Sequence, residues 1–282
     1  LLLLFLICGP ILAVAQSLPQ TEIWVAELGS DGLPGAPVRI TDTAGYHNQP
    51  HFSDDSRYIF FSAEANESQT DIWVYDLKDR HRQVVNDSPY SDYSPTPVPG
   101  QSAISVVRVE ADSRQRLWRI DLQGEQEQLL LENIEPVGYH AWLSDELLAL
   151  FILGETFDLH LVRLGQNESF KAFENIGRTL RVNRRTGALY FVDKNMDPWK
   201  IAALDPGTQT VSPVMQLFPR VEDFELDSQG QLWSGVGSKL YVSDNNFERW
   251  VLAADLAEFG IDGITRLSAS PNGRWIAIVG SR

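Results

Sequence analysis

HFSDDSRYIFFSAE at residues 51–64, followed by DIWVYDL at residues 71–77, contains a short strand, a polar turn, a more apolar strand and a third strand of alternating character. Asp54, Asp55 and Ser56 are turn formers, and the β-branched and aromatic residues on either side have the period of a pleated surface. The pieces recur in the same order. The third-strand segment returns as EIWVAEL at 22–28, RLWRIDL at 116–122, DLHLVRL at 158–164, PWKIAAL at 198–204 and KLYVSD at 239–244. The hairpin returns as PVPGQSAISVVRVE from Pro97, AWLSDELLALFILG from Ala141, RVNRRTGALYFVDK from Arg181, ELDSQGQLWSGVG from Glu225 and ASPNGRWIAIVG from Ala269.

Repetition every 40 to 50 residues or so, with roughly four short strands per unit, predicts an all-β fold: a six-bladed β-propeller of four-stranded antiparallel blades. A β-sandwich has no reason to repeat its sequence, and no long amphipathic segment is available for βαβ units. The chain begins with a third-strand segment at Glu22 and a fourth strand near residues 38–41, and it ends with a first and second strand at residues 264–279. The N-terminal strands are therefore expected to complete the last blade, pairing edges that would otherwise be exposed. Closure in this way uses residues 16–282 as one domain.

The front of the chain, LLLLFLICGPILAVA, carries no charge and ends in the small-x-small site Ala13-Val14-Ala15. Residues 1–15 are read as a signal peptide, with the mature chain starting at Gln16. The run is too short to span a bilayer, so no membrane span is expected in the mature chain. Cys8 lies in the removed part and is preceded by Ile7 rather than a small residue, which argues against a lipid anchor. The mature protein then has neither thiol nor disulfide, and its core must hold it. A formal charge of -15 excludes a nucleic-acid partner that needs a basic face.

Trp24, Trp73, Trp118, Trp199 and Tyr241 share one repeat slot and are expected to pack between sheets, and His160 occupies the same slot as a structural histidine. No nucleophile elbow, zinc-protease helix, phosphate-binding loop or dinucleotide fingerprint occurs, so an enzyme is not expected and no cofactor is implied. His47 and His51 stand four apart, but in a loop leading into a strand, where turn packing accounts for them better than zinc. The candidate site is the loop that enters the first strand of each blade, because that strand lines the central channel. Tyr46, His47, Asp92, Tyr93, Tyr139, His140, Arg178, Arg220, Glu222 and Arg266 fall there by the repeat register. Together they form an aromatic segment beside a mixed-charge one, a suitable contact for a protein or peptide at one mouth of the channel.

The pattern P-x-F-S-x-D-x-R-Y-I-x-F-S followed by D-I-W-V-Y-D-L, at residues 50–62 and 71–77, resembles the WD40-like repeat of the TolB-type propellers, which also occurs at the front of prolyl oligopeptidases. Ser270-Pro271-Asn272-Gly273-Arg274 is the next clearest copy. The resemblance covers almost the whole mature chain and implies a periplasmic or secreted protein of a Gram-negative bacterium. It does not imply membership of an envelope translocation complex, because the additional N-terminal domain of that protein is not expected here. Peptidase activity is not implied either, for want of a hydrolase domain. The function expected is an exported binding or scaffold propeller, monomeric, recognising a protein, peptide or envelope component. The alternative is a calcium-dependent hydrolase like the six-bladed lactonases, whose blade residues 221–236 faintly resemble, with Asn48, Asn183, Glu222, Asp223 and Asp262 supplying oxygens.

Overall fold

In the computed structural model, which describes residues 18–66, 69–123, 126–166 and 168–281, the regular secondary structure is almost entirely strand. The signal-peptide reading and Gln16 fall outside the described residues. Strands β1 (Glu22–Glu27) and β2 (Val38–Arg39) come first and wait for partners at the far end of the chain. The first blade is β3 (His47–Phe52), β4 (Tyr58–Asn66), β5 (Gln69–Asp76) and β6 (His81–Asn86). The second is β7 (Ser91–Pro97), β8 (Ala103–Val109), β9 (Gln115–Asp121) and β10 (Glu127–Leu129). The third is β11 (Val137–Trp142), β12 (Leu147–Ile152), β13 (Asp158–Arg163) and β14 (Phe170–Phe173). The fourth is β15 (Ile176–Val182), β16 (Leu189–Asp193), β17 (Lys200–Asp205) and β18 (Thr210–Gln216). The fifth is β19 (Glu225–Leu226), β20 (Leu232–Val236), β21 (Lys239–Ser243) and β22 (Trp250–Asp255). After one 3-10 turn at Ala257–Phe259, β23 (Asp262–Ala269) and β24 (Trp275–Ser281) supply half of the sixth.

The sixth blade has the order β2-β1-β24-β23, with Glu22 opposite Gly280 and Glu27 opposite Trp275. This is the closure expected from the order of the repeats, made by six consecutive residue pairs between strands more than two hundred residues apart. All the pairings within the blades are antiparallel, and each blade runs from an inner first strand to an outer fourth.

The hydrophobic pattern follows from this stacking. A blade has neighbours on both faces, so its middle strands are apolar at successive positions rather than at alternate ones. In β1, Trp24 and Ala26 enter a cluster with Trp233, Leu240, Ile264 and Ile278 on the fifth-blade side, whereas Ile23 and Val25 enter a cluster with Phe52, Ile59 and Phe61 on the first-blade side. Each of the larger side chains, though not Ala26, contributes about 1.5–3 kcal/mol by leaving water. The aromatic slot also packs as expected. Trp24 is buried, basic groups lie over three of the others, Arg82 at 5.5 Å from Trp73, Arg108 at 5.0 Å from Trp118 and Lys194 at 4.5 Å from Trp199, and Tyr241 packs against Phe218 with ring centroids 4.8 Å apart. In the fourth copy His160 is half-buried and meets the Ser169 hydroxyl at 2.8 Å through Nδ1.

The inner strands are irregular, which matters for the site. Their registers against the second strands shift between Asn48 and His51, Tyr93 and Thr96, Val137 and Tyr139, Ile176 and Leu180, and Asp262 and Arg266. A bulge adds a residue to one strand and turns the neighbouring side chain out of its pleat. In the first two blades the bulge residues are Gln49 and Ser94, both with φ near 55° and both followed by proline. Gln49 Oε1 accepts from the Ser94 backbone N–H at 2.8 Å and from the Ser62 hydroxyl at 3.0 Å, which ties the two bulges together.

Candidate functional site at the channel

Each blade sends one side chain to the axis at the end where the inner strands begin. In order around the ring these are Tyr46, Tyr93, Tyr139, Arg178, Asp223 and Arg266. The Tyr46 and Tyr93 rings meet edge to face with centroids 6.4 Å apart. Arg266, on the sixth blade, donates from Nη2 to the hydroxyl of Tyr139 on the third at 2.8 Å, and its guanidinium lies 5.2 Å from that ring. These two blades face one another across the ring, so the hydrogen bond spans the axis. Asp223 accepts from both Arg178 and Arg266, and also from the Thr179 hydroxyl at 3.2 Å. The six side chains form an iris that closes the channel at this end.

The electrostatics of the iris are balanced. Burial alone would raise the Asp223 carboxyl, but Arg266 and Arg178 outweigh it and hold the group below the ordinary carboxylate range. Burial works against the charge of Arg266, while Asp223 and then Tyr139 and Tyr46 more than restore it. Tyr46 is pushed up by burial and by Tyr139, so its phenol keeps its proton.

Beyond the iris the channel opens into a cavity of about 540 Å³, within the size range of ligand pockets. Tyr139, Arg178 and Arg266 form its floor, and its walls rise along the inner strands to the turns that follow them, at Asp54, Ser144, Arg184, Ser228 and Pro271. Arg184 on the fourth blade reaches Asp54 on the first at 2.8 Å, a second bridge between opposite blades, here at the open mouth. Within the cavity Arg181 donates to Glu225 at 2.7 Å and to the carbonyls of Leu180 and Leu267 at 2.9 and 3.1 Å. His51 lies in the wall, its imidazole pushed down to about 3 by burial and by Arg181 and Arg184, so it is neutral at pH 7.

Tyr46, Tyr93, Tyr139, Arg178 and Arg266 are thus brought together at the iris end of the channel. Asp92 is elsewhere. It is fully buried and accepts from Arg108 at 2.8 and 2.9 Å, because Arg108, only 1% exposed, needs its charge offset. Glu127 takes the other side of the same guanidinium at 2.6 and 2.9 Å. His47 is buried against Phe61 and bonded to Thr43 and the Thr21 carbonyl at 3.1 Å each. Its ring is spent on holding the segment before β1. His140 meets Ser105 Oγ at 2.6 Å, and Trp142 Nε1 donates to the same oxygen at 2.9 Å while that hydroxyl donates to the Thr96 carbonyl at 3.2 Å. Ser105 is fully buried with its hydroxyl so engaged, so this serine and histidine are a structural joint between blades and not a nucleophile with its base. Arg220 is exposed in the loop before β19, and Glu222 is paired with Lys194 at 2.7 Å.

The oxygens proposed for calcium do not converge. Asp223 is held between two arginines, and Glu222 is held by Lys194. Asn183 caps its own turn by accepting from Arg185 N and Thr186 N, and Asn48 accepts from Gln49 N at 2.8 Å. Asp262 is exposed. Among the described residues no group of three or more His, Cys, Asp or Glu could hold a metal ion, and six to eight oxygens are needed for calcium. Sequence reasoning missed His51, Arg184 and Arg185 as channel residues. The signal available was the turn Asn183-Arg184-Arg185-Thr186-Gly187, which carries two arginines where the corresponding turns carry Asp, Ser or Asn.

No family model matches the chain. A protein of Agrobacterium fabrum described as uncharacterised is 30% identical over 78 residues, which is 28% of this chain and 26% of that protein. The match thus spans about a quarter of the relative. Among solved structures, a putative TolB from Agrobacterium tumefaciens superposes with TM-score 0.71 at 12% identity, covering 93% of this chain and 98% of that one. TolB from Acinetobacter baumannii gives 0.62 at 11%, covering 93% of this chain and 65% of the other. A gluconolactonase from Xanthomonas campestris gives 0.65 at 12%, covering 94% and 99%. The fold matches a TolB-type six-bladed propeller, as the repeats predict, and it is shared with at least one enzyme. Among the described residues no helix is long and apolar enough to cross a membrane.

Proposed function

We propose that this chain is an exported, periplasmic or secreted propeller that binds a protein, peptide or envelope component through its central channel. The observation that carries the reading is the cavity of about 540 Å³, closed at the iris and open at the Arg184 end, whose walls present polar side chains from all six blades. A propeller concentrates one segment per blade on a single axis, which suits recognition by several converging contacts. The shared fold does not choose between binding and hydrolysis, since TolB and a gluconolactonase both have it. What favours binding is the use already made of the channel's acidic groups, which are engaged by arginine, lysine or backbone N–H.

The test is site-specific photocrosslinking in an envelope extract. A crosslinker at Ser144, exposed at the open mouth, is expected to capture a discrete partner, and one at Thr210, exposed on an outer strand, is expected not to. Capture at Thr210 alone would overturn the reading. Calcium titration with thermal unfolding as readout is the companion measurement. A rise in Tm with about one bound ion per chain would move the hydrolase reading to the front.

A further inference from the structure

We infer that the channel receives an acidic peptide segment, which enters at the Arg184 and Arg185 end and is held by its carboxylates. This rests on the binding reading above and adds the direction of approach and the chemistry of the partner.

Direction follows from the iris. Arg266 and Tyr139 join opposite blades across one end, so a ligand reaches the cavity from the other. Charge gives the chemistry. The cavity lining holds five arginines, Arg178, Arg181, Arg184, Arg185 and Arg266, against three carboxylates, Asp54, Glu225 and Asp227, with Asp223 beneath the floor paired to Arg178 and Arg266, in a chain whose net charge is -15. The carboxylates are not free to balance a cationic ligand. Glu225 accepts from Arg181 and from Leu226 N at 2.8 Å, and Asp227 accepts from Gln229 N, Gln231 N and the Trp233 indole. The cations near the mouth are less committed. Arg185 reaches the Gln229 carbonyl at 3.1 Å and has no ion pair among the described residues. The pair of Arg184 with Asp54 is more than half exposed on both sides, so it is weak and can be exchanged for an incoming carboxylate. Arginine suits that exchange because its planar fork binds a carboxylate at two points.

A peptide with acidic side chains can offer these arginines a carboxylate at every residue. His51 lies in the same wall, its imidazole lowered by burial first and then by the nearby Arg181 and Arg184.

Fluorescence anisotropy with a labelled tetraglutamate peptide tests the inference, with tetraglutamine and citrate as comparators. Tetraglutamate is expected to bind about tenfold more tightly than tetraglutamine, the difference expected of one good charge-assisted contact. The Arg184→Gln/Arg185→Gln double variant, its fold checked by thermal unfolding, is expected to lose about the same factor. Affinity is also expected to fall severalfold between about 50 and about 300 mM salt. Equal binding of the two peptides, an unchanged affinity in the double variant, or citrate binding as tightly as tetraglutamate would overturn it. Should both peptides bind equally and the partner still crosslink at Ser144, the acidic specificity fails while the binding reading stands. Should neither bind and crosslinks form at Thr210 alone, both fail.

Discussion

Asp92 and Asp223 fall in adjacent repeat slots and end in opposite situations. Each is buried and each is held by arginine, but Asp92 is spent inside a blade on Arg108, whereas Asp223 closes the channel with Arg178 and Arg266. The sequence cannot separate them, because what distinguishes them is which arginine arrives from a different strand. The two channel histidines have a measurable consequence. Burial, joined at His51 by Arg181 and Arg184, lowers both imidazoles to about 3, whereas the unfolded chain protonates near 6.5. Below 6.5 the unfolded state therefore binds more protons, and stability falls as pH falls. Between pH 6.5 and 4.5 each histidine is expected to cost about 2 kcal/mol, in a window whose acid end meets the range where depressed carboxylates such as Asp76 and Glu110 begin to act. Urea unfolding at the two pH values should show a combined loss of about 4 kcal/mol, cut by about half in His51→Gln. An unaltered loss in that variant would show that the ring is not the source.

At the scale of the strand, the second and third strands of each blade were legible and the inner and outer ones much less so. The middle strands bury both faces, and their continuous runs, such as AISVVRV at Ala103–Val109, have no competing reading. The outer strands are short or exposed, β2 being two exposed residues, so no pattern marks them. The inner strands carry polar residues and bulges because they serve the channel, and a register shift alters which side chain reaches the axis without altering composition. This is why the repeat register groups the iris residues without showing how their side chains meet on the axis. Blade contacts also set limits on side-chain size. Gly235 on β20 lies under β23, where an added Cβ would come within 2.6 Å of Ile264 Cβ. Gly235→Ala is expected to cost about 1–3 kcal/mol by forcing the fifth and sixth blades apart, measured by thermal or urea unfolding. A substitution without effect would mean that the two blades can slide past each other.

The whole ring stands on its seam. The order of repeats predicts that the first strands finish the last blade, since an unpaired third-strand motif at one end and an unfinished hairpin at the other have one mutual solution. Ile23 lies in that seam, fully buried between Phe52, Ile59 and Val279. Ile23→Ala is expected to cost about 2–5 kcal/mol and to lower the midpoint of a single transition, because opening the seam exposes edges on the first and sixth blades together. A separate early transition for the last blade would show that the ring is less cooperative than its closure implies. The closed end of the channel carries a different consequence. A passage with one door makes arrival and departure share a path, so the Arg184 and Asp54 bridge across that door is a kinetic element. Stiffening the bridge slows entry, and because an incoming carboxylate must displace Asp54 from Arg184, it lowers the affinity as well.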